Sequence, residues 1–130
     1  MTIHDMMQQV ALLSSGVYHR EKNISRIDIR TPGNRTQVLY GHVQRIGREN
    51  VGVLYTRVGT LADDIDPVEL LSMNASLRHT RIAVLERHDI ILIAMFDLVR
   101  TSINECAPML QELAAVADDL EQQWFKLDLS

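Results

Sequence analysis

A single cysteine, Cys106, leaves this chain without the means for an internal disulfide framework or a cysteine-built zinc site. It also points to a reducing cytosol as the expected compartment. Proline and glycine are sparse, three and six residues, so neither a collagen-like nor a low-complexity tract is present. No apolar run approaches the ~20 residues that a membrane helix needs. The opening MTIHDMMQQVALL has no basic n-region, and His4, Asp5, Gln8 and Gln9 interrupt it, so no signal peptide is expected. G-x-S-x-G, P-loop and G-x-G-x-x-G signatures are missing as well, which removes the common hydrolase and nucleotide-binding readings.

What remains is an ordinary globular composition, 46% hydrophobic and 23% charged, over 130 residues. That length fits one domain spanning 1–130 with a core of its own. The net charge of −4 conceals an uneven distribution. Residues 20–57 carry eight Lys/Arg against three acids, whereas residues 61–130 carry five against thirteen. A basic half can meet phosphate, but such charges more often line the wet side and turns of a sheet.

Residues 2–15 read as an amphipathic helix opened by a Thr2/Asp5 capping box, with Ile3, Met6, Met7, Val10 and Leu13 on one face and Gly16 as its stop. Residues 23–30, 36–46 and 51–61 then alternate as strands, separated by Thr31-Pro32-Gly33-Asn34 and Gly47-Arg48-Glu49-Asn50 turns. Asp66-Pro67-Val68-Glu69 opens a short helix over residues 67–75 that presents Val68, Leu71 and Ala75 along one side, with Leu70 beside them, and Asn74 can close the turn. Residues 80–99 form a hairpin around Arg87-His88-Asp89, with Ile82, Val84, Ile90, Leu92, Ala94 and Phe96 facing one way. A long helix over 101–125 starts at a Ser102/Glu105 box. Its stripe comprises Ile103, Cys106, Met109, Leu110, Leu113, Val116, Ala117, Leu120 and Trp124. Glu112, Asp118, Asp119 and Glu121 are expected to face water. Pro108 predicts a bend or a late start. The order α-β-β-β-α-β-β-α with short connections predicts an α+β two-layer domain on an antiparallel five-stranded sheet.

Candidate chemistry is thin. His4, His19, His42, His79 and His88 have no partners at metal-ligand spacing, and no metal or other cofactor is expected. His42 reads as a hydrogen-bonded core histidine, His79 and His88 as solvated ones, and Cys106 as inert packing. Asp63-Asp64-x-Asp66 lacks the glycine and bidentate acid of a calcium loop. Catalytic residues are not expected, and the chain reads as a non-enzyme. Tyr40 and Tyr55 among Arg35, Arg45, Arg48 and Arg57 could stack bases. An aromatic content of 5% and the acidic second half weigh against nucleic acid.

The distinctive feature is the second strand of the last hairpin. Its other side, Ile91, Ile93 and Met95, is as apolar as its first, so both faces call for cover. Helices can supply one cover, and another protein chain is the expected source of the second. Ile91, Ile93 and Met95 with Leu70 and Leu71 are the candidate dimer or partner interface. Tyr40, Val53 and Tyr55 are the candidate partner-binding sheet surface.

Three runs, Arg57-Val58-Gly59-Thr60-Leu61, Glu69-Leu70-Leu71-Ser72-Met73-Asn74-Ala75-Ser76-Leu77 and Arg81-Ile82-Ala83-Val84-Leu85, resemble the YbjN-type bacterial family, whose members are labelled sensory transduction regulators. The layout over residues 2–126 is similar to that of the class I type III secretion chaperones. The resemblance implies a small cytoplasmic homodimer that holds an extended or partly unfolded segment of a protein or peptide client. A regulatory or structural dimer with no secretion client is the alternative.

Overall fold

A computed structural model describes residues 2–31 and 35–124. Residues 32–34 of the expected Pro-Gly-Asn turn lie outside the described residues, as does Phe125. Helix α1 (Ile3–Leu13) begins as its capping box predicts: the Thr2 hydroxyl accepts the Asp5 N–H at 3.1 Å, and Asp5 accepts the Thr2 N–H at 3.3 Å. It buries Ile3, Met6, Met7, Val10 and Ala11. Leu13, expected on this face, is 55% exposed because the helix ends there.

Six strands rather than five form the sheet: β1 (Val17–Glu21), β2 (Ile24–Arg30), β3 (Thr36–Ile46), β4 (Glu49–Thr60), β5 (Arg81–Leu85) and β6 (Asp89–Asp97). All pairings are antiparallel, in the order β1-β2-β3-β4-β6-β5. The unexpected strand is β1. It lies at the sheet's edge with Tyr18 alone partly buried, so no apolar alternation betrays it. A two-residue turn returns it to β2, with Lys22 in the left-handed region at φ 54°. The last hairpin turns through Glu86, Arg87 and His88, one residue earlier than expected. Glu86 and Arg87 both take positive φ there.

One face of the sheet presents Ile27, Ile29, Leu39, Leu54, Ile90, Leu92, Ala94 and Phe96 to a single buried cluster. The opposing layer is α1 together with α3 (Ile103–Trp124), which supplies Cys106, Leu110, Leu113, Ala117 and Leu120. Two glycines on this face make room for large neighbours: Met7 fills the space a side chain at Gly41 would need, and the Phe96 ring does so at Gly52. The Ser102/Glu105 box starts α3 where expected, with both reciprocal bonds at 3.1 Å. The helix continues through Pro108, so the expected late start does not occur. Pro108 is exposed, and its ring costs no core packing.

The acids of α3 depart from expectation. Glu112 does not face water freely but accepts three consecutive backbone N–H groups, from Arg78, His79 and Thr80, at 2.7–2.9 Å. Asp118 is buried beside Arg35 at 2.8 Å, and Glu121 takes Arg35 at 3.2 Å and Gln37 at 3.0 Å. Of the four acids, Asp119 stays exposed. Periodicity placed these carboxylates on the flank of the stripe. Loops from the sheet end there, and their unpaired N–H groups and cations draw the acids in.

Burial works against the charged form of Glu112, but the backbone hydrogen bonds outweigh it and hold the carboxyl at about 2. A folded-state pKa below the unfolded value contributes stability above the unfolded pKa and loses it as pH falls through the folded one. Stability is therefore expected to drop between about pH 4.5 and about pH 2. Glu112→Gln should lower stability at pH 7 by roughly 2 kcal/mol, the value of hydrogen bonds to a charged acceptor, and flatten that acid limb. Urea titrations from pH 7 to pH 2 measure both.

Candidate functional site

The three helices all feed the buried cluster on one side of the sheet, α2 (Pro67–Ser72) through Leu70. No described helix covers the other side. Strand pairing lays its residues out in rows. Tyr40 stands opposite Tyr55, Tyr55 opposite Ile93, and Ile93 opposite Arg81. In the row to one side, His42 faces Val53 and Val53 faces Met95. In the row to the other, Arg57 faces Ile91 and Ile91 faces Ala83.

Five of the candidate residues, Tyr40, Tyr55, Ile91, Ile93 and Met95, thus fall on one surface across β3, β4 and β6. Ile91 and Ile93 are half-buried and Met95 is 49% exposed. The expected separation into a dimer surface and a partner surface is not there; the two sets share one patch.

The other three candidates fare differently. Leu70 is fully buried in the chain's own core, so it offers nothing to a partner, and the interface expectation is corrected for it. The short helix points Leu70 inward and leaves Val68 at 76% and Leu71 at 39% exposure, reversing the expected packing side. Val53 lies on the open face but is 2% exposed and outside the core cluster. It stands between the larger His42 and Met95, as floor rather than contact surface.

His42, expected in the core, belongs to the open face instead. Its ring meets Tyr55 edge-on, 5.5 Å between centroids, while Tyr40 and Tyr55 stack at 5.5 Å. Strand alternation alone could have found it, since His42 shares parity with Tyr40. Burial together with the Tyr40 neighbour pushes the Tyr55 phenol above its usual range, so it stays protonated as a donor.

Ion pairs frame this apolar centre. On the β1–β2 side Arg26 binds Asp28 through two bonds of 2.9 Å and reaches Glu21 at 3.2 Å. His19 sits 3.3 Å from the same Asp28. Across the sheet Arg57 pairs with Asp89 at 3.3 Å and donates to Thr60 at 2.7 Å. At one end the β3–β4 pairing stops at Tyr40 and Tyr55, and the Thr56 hydroxyl donates to the Val38 carbonyl at 2.8 Å. A polar cleft of about 270 Å³ bounds the patch there, with Gln37, Arg57 and Glu121 in its wall.

Other reactive groups lie away from the patch. Cys106 is fully buried, and burial pushes its thiol up to about 12. His4 lies 2.7 Å from the Ser25 hydroxyl and 3.1 Å from that of Tyr18. Ser25 is wholly buried, so this trio ties α1 to the β1–β2 hairpin rather than meeting a substrate. Among the described residues no His, Cys, Asp or Glu group could hold a metal ion, and no helix is long and apolar enough to cross a membrane. No family model matches the chain, and no curated protein does.

The two leucines of α2 separate core from surface. Leu70→Ala should cost about 2–5 kcal/mol, the range for a buried leucine. Leu71→Ala should stay within about 0.5 kcal/mol, as at an exposed site. Thermal unfolding of both variants distinguishes the positions.

Proposed function

We propose that this chain is a non-enzymatic, dimeric protein-binding module, chaperone-like in action, whose open sheet face is covered by protein. One observation carries this reading: Tyr40, Tyr55, Ile91, Ile93 and Met95 form an apolar and aromatic patch on a face that no described helix covers. An aromatic and methionine-bearing centre with a rim of charged pairs has the composition of a protein-binding surface. The resemblance of three sequence runs to the YbjN-type family, and of the element layout to the secretion chaperones, supports the same reading and a cytoplasmic setting.

Size decides how the patch is used. Three strands at about 4.8 Å spacing by four residues at about 3.4 Å give a centre of roughly 200 Å². A stable interface covers about 800 Å² per partner. A dimer on this face therefore also enlists the Arg26/Asp28 and Arg57/Asp89 rims. An extended client segment fits the centre alone. A second copy and a client would use the same five side chains, so each displaces the other.

RNA binding draws on the same tyrosines and is the weaker reading. The Tyr40 and Tyr55 rings stack on each other, and the two cations that flank them on this face, Arg26 and Arg57, are paired with acids.

Light scattering across a dilution series is expected to give a dimer, and Ile93→Asp a folded monomer with an unchanged circular dichroism spectrum. A charge on this face leaves the core untouched yet cannot be covered by an apolar partner. A wild-type monomer at all concentrations, or an Ile93→Asp dimer, would remove the face from consideration.

A further inference from the structure

The free edge of β5 is closed in an unusual way. The short 3₁₀ segment Met73–Ser76 follows α2, and its Asn74 side chain reaches the edge strand. The Asn74 carboxamide accepts the Ile82 N–H at 2.6 Å and donates to the Ile82 carbonyl at 3.1 Å. One donor and one acceptor on the same residue are what a neighbouring strand would offer there. Ile82 turns these groups away from β6, and the strand's two-residue period turns those of Val84 the same way. No partner for the Val84 pair occurs among the described residues. On the β2-flanking side, by contrast, the β1 edge carries the exposed charges of Arg20 and Glu21, a common guard against strand addition.

We propose that the β5 edge is a second interaction surface, a strand-pairing site for another copy of this chain, which Asn74 holds closed as a one-residue stand-in for the missing strand. The register follows from the hydrogen-bonding groups. An antiparallel β5–β5′ pair with Ala83 on the two-fold axis places Ile82 opposite Val84 of the second copy. The outward groups of both residues then close a ladder. Arg81 comes opposite Leu85 of the other copy and beside its Glu86, so exposed opposite charges meet at both ends. Leu85, 49% exposed, gains cover. Two sheets joined this way bring their open faces into one surface. The edge site is independent of whether the face itself dimerises.

The test uses the full chain carrying Ala83→Cys, alone and combined with Asn74→Ala. Residues on the two-fold axis would stand as a pair without mutual hydrogen bonds, with Cα atoms about 4.5 Å apart, well placed for a disulfide. Face-to-face sheets lie about 10 Å apart, beyond disulfide reach, so a face dimer gives no cross-link. Mild oxidation should link the double variant at least tenfold faster than Ala83→Cys alone, and sedimentation should show its self-association at least tenfold tighter. Cys106 is buried and does not compete. If Asn74→Ala fails to fold, Asn74→Asp keeps the acceptor for the Ile82 N–H, removes the donor, and carries the same expectation. A folded variant of either kind that cross-links no faster than Ala83→Cys alone overturns the proposal.

Discussion

Burial of Leu39, Leu54, Ile90 and Leu92 beneath α1 and α3 takes up the helical cover that the described residues offer on one side of a six-stranded sheet. A sheet with a single helical layer leaves its second face to water or to another protein. In most such sheets polar residues occupy that second face. Here β6 places Ile91, Ile93 and Met95 on it, and β3 and β4 add Tyr40, His42 and Tyr55. The proposed function is the consequence of that mismatch between available cover and apolar surface.

Polar contacts do different work from the core. Glu112 gathers the backbone N–H groups just before β5, and Asn74 takes both polar groups of Ile82 within it. Farther along α3, Asp118 and Glu121 bind Arg35 and Gln37 near the start of β3. Buried apolar contact is non-directional and tolerates sliding. Hydrogen bonds to a carboxylate are directional and short. Between them, these side chains hold the middle and the C-terminal part of α3 in register with the sheet and occupy the outward groups of Ile82 on the edge strand.

How much of this is legible in the sequence depends on the range of the interaction. The Thr2/Asp5 and Ser102/Glu105 boxes and the Asp66-Pro67 start are local, and each appears where its residues predict. Strand parity was equally readable: Ile91, Ile93 and Met95 lie opposite in facing to Ile90, Leu92, Ala94 and Phe96. Edge strand β1 was not, because its exposure removes the apolar alternation that marks a strand. Leu70 and Leu71 show a finer limit. Both are leucines in one turn of a short helix, and the docking angle of that helix alone decides which is buried.

The sequence by itself determined the helix starts, the strand parity and the presence of an apolar surplus on β6, since each follows from neighbours a few residues apart. The tertiary structure decided that Tyr40, Tyr55, Ile91, Ile93 and Met95 form one patch. It also decided that Val53 lies beneath that patch, that Glu112 and Asp118 turn inward, and that Asn74 guards an edge. The physical reason is that these outcomes depend on strand order and on groups tens of residues apart, Asp118 with Arg35 among them. No local pattern carries that order; packing selects it.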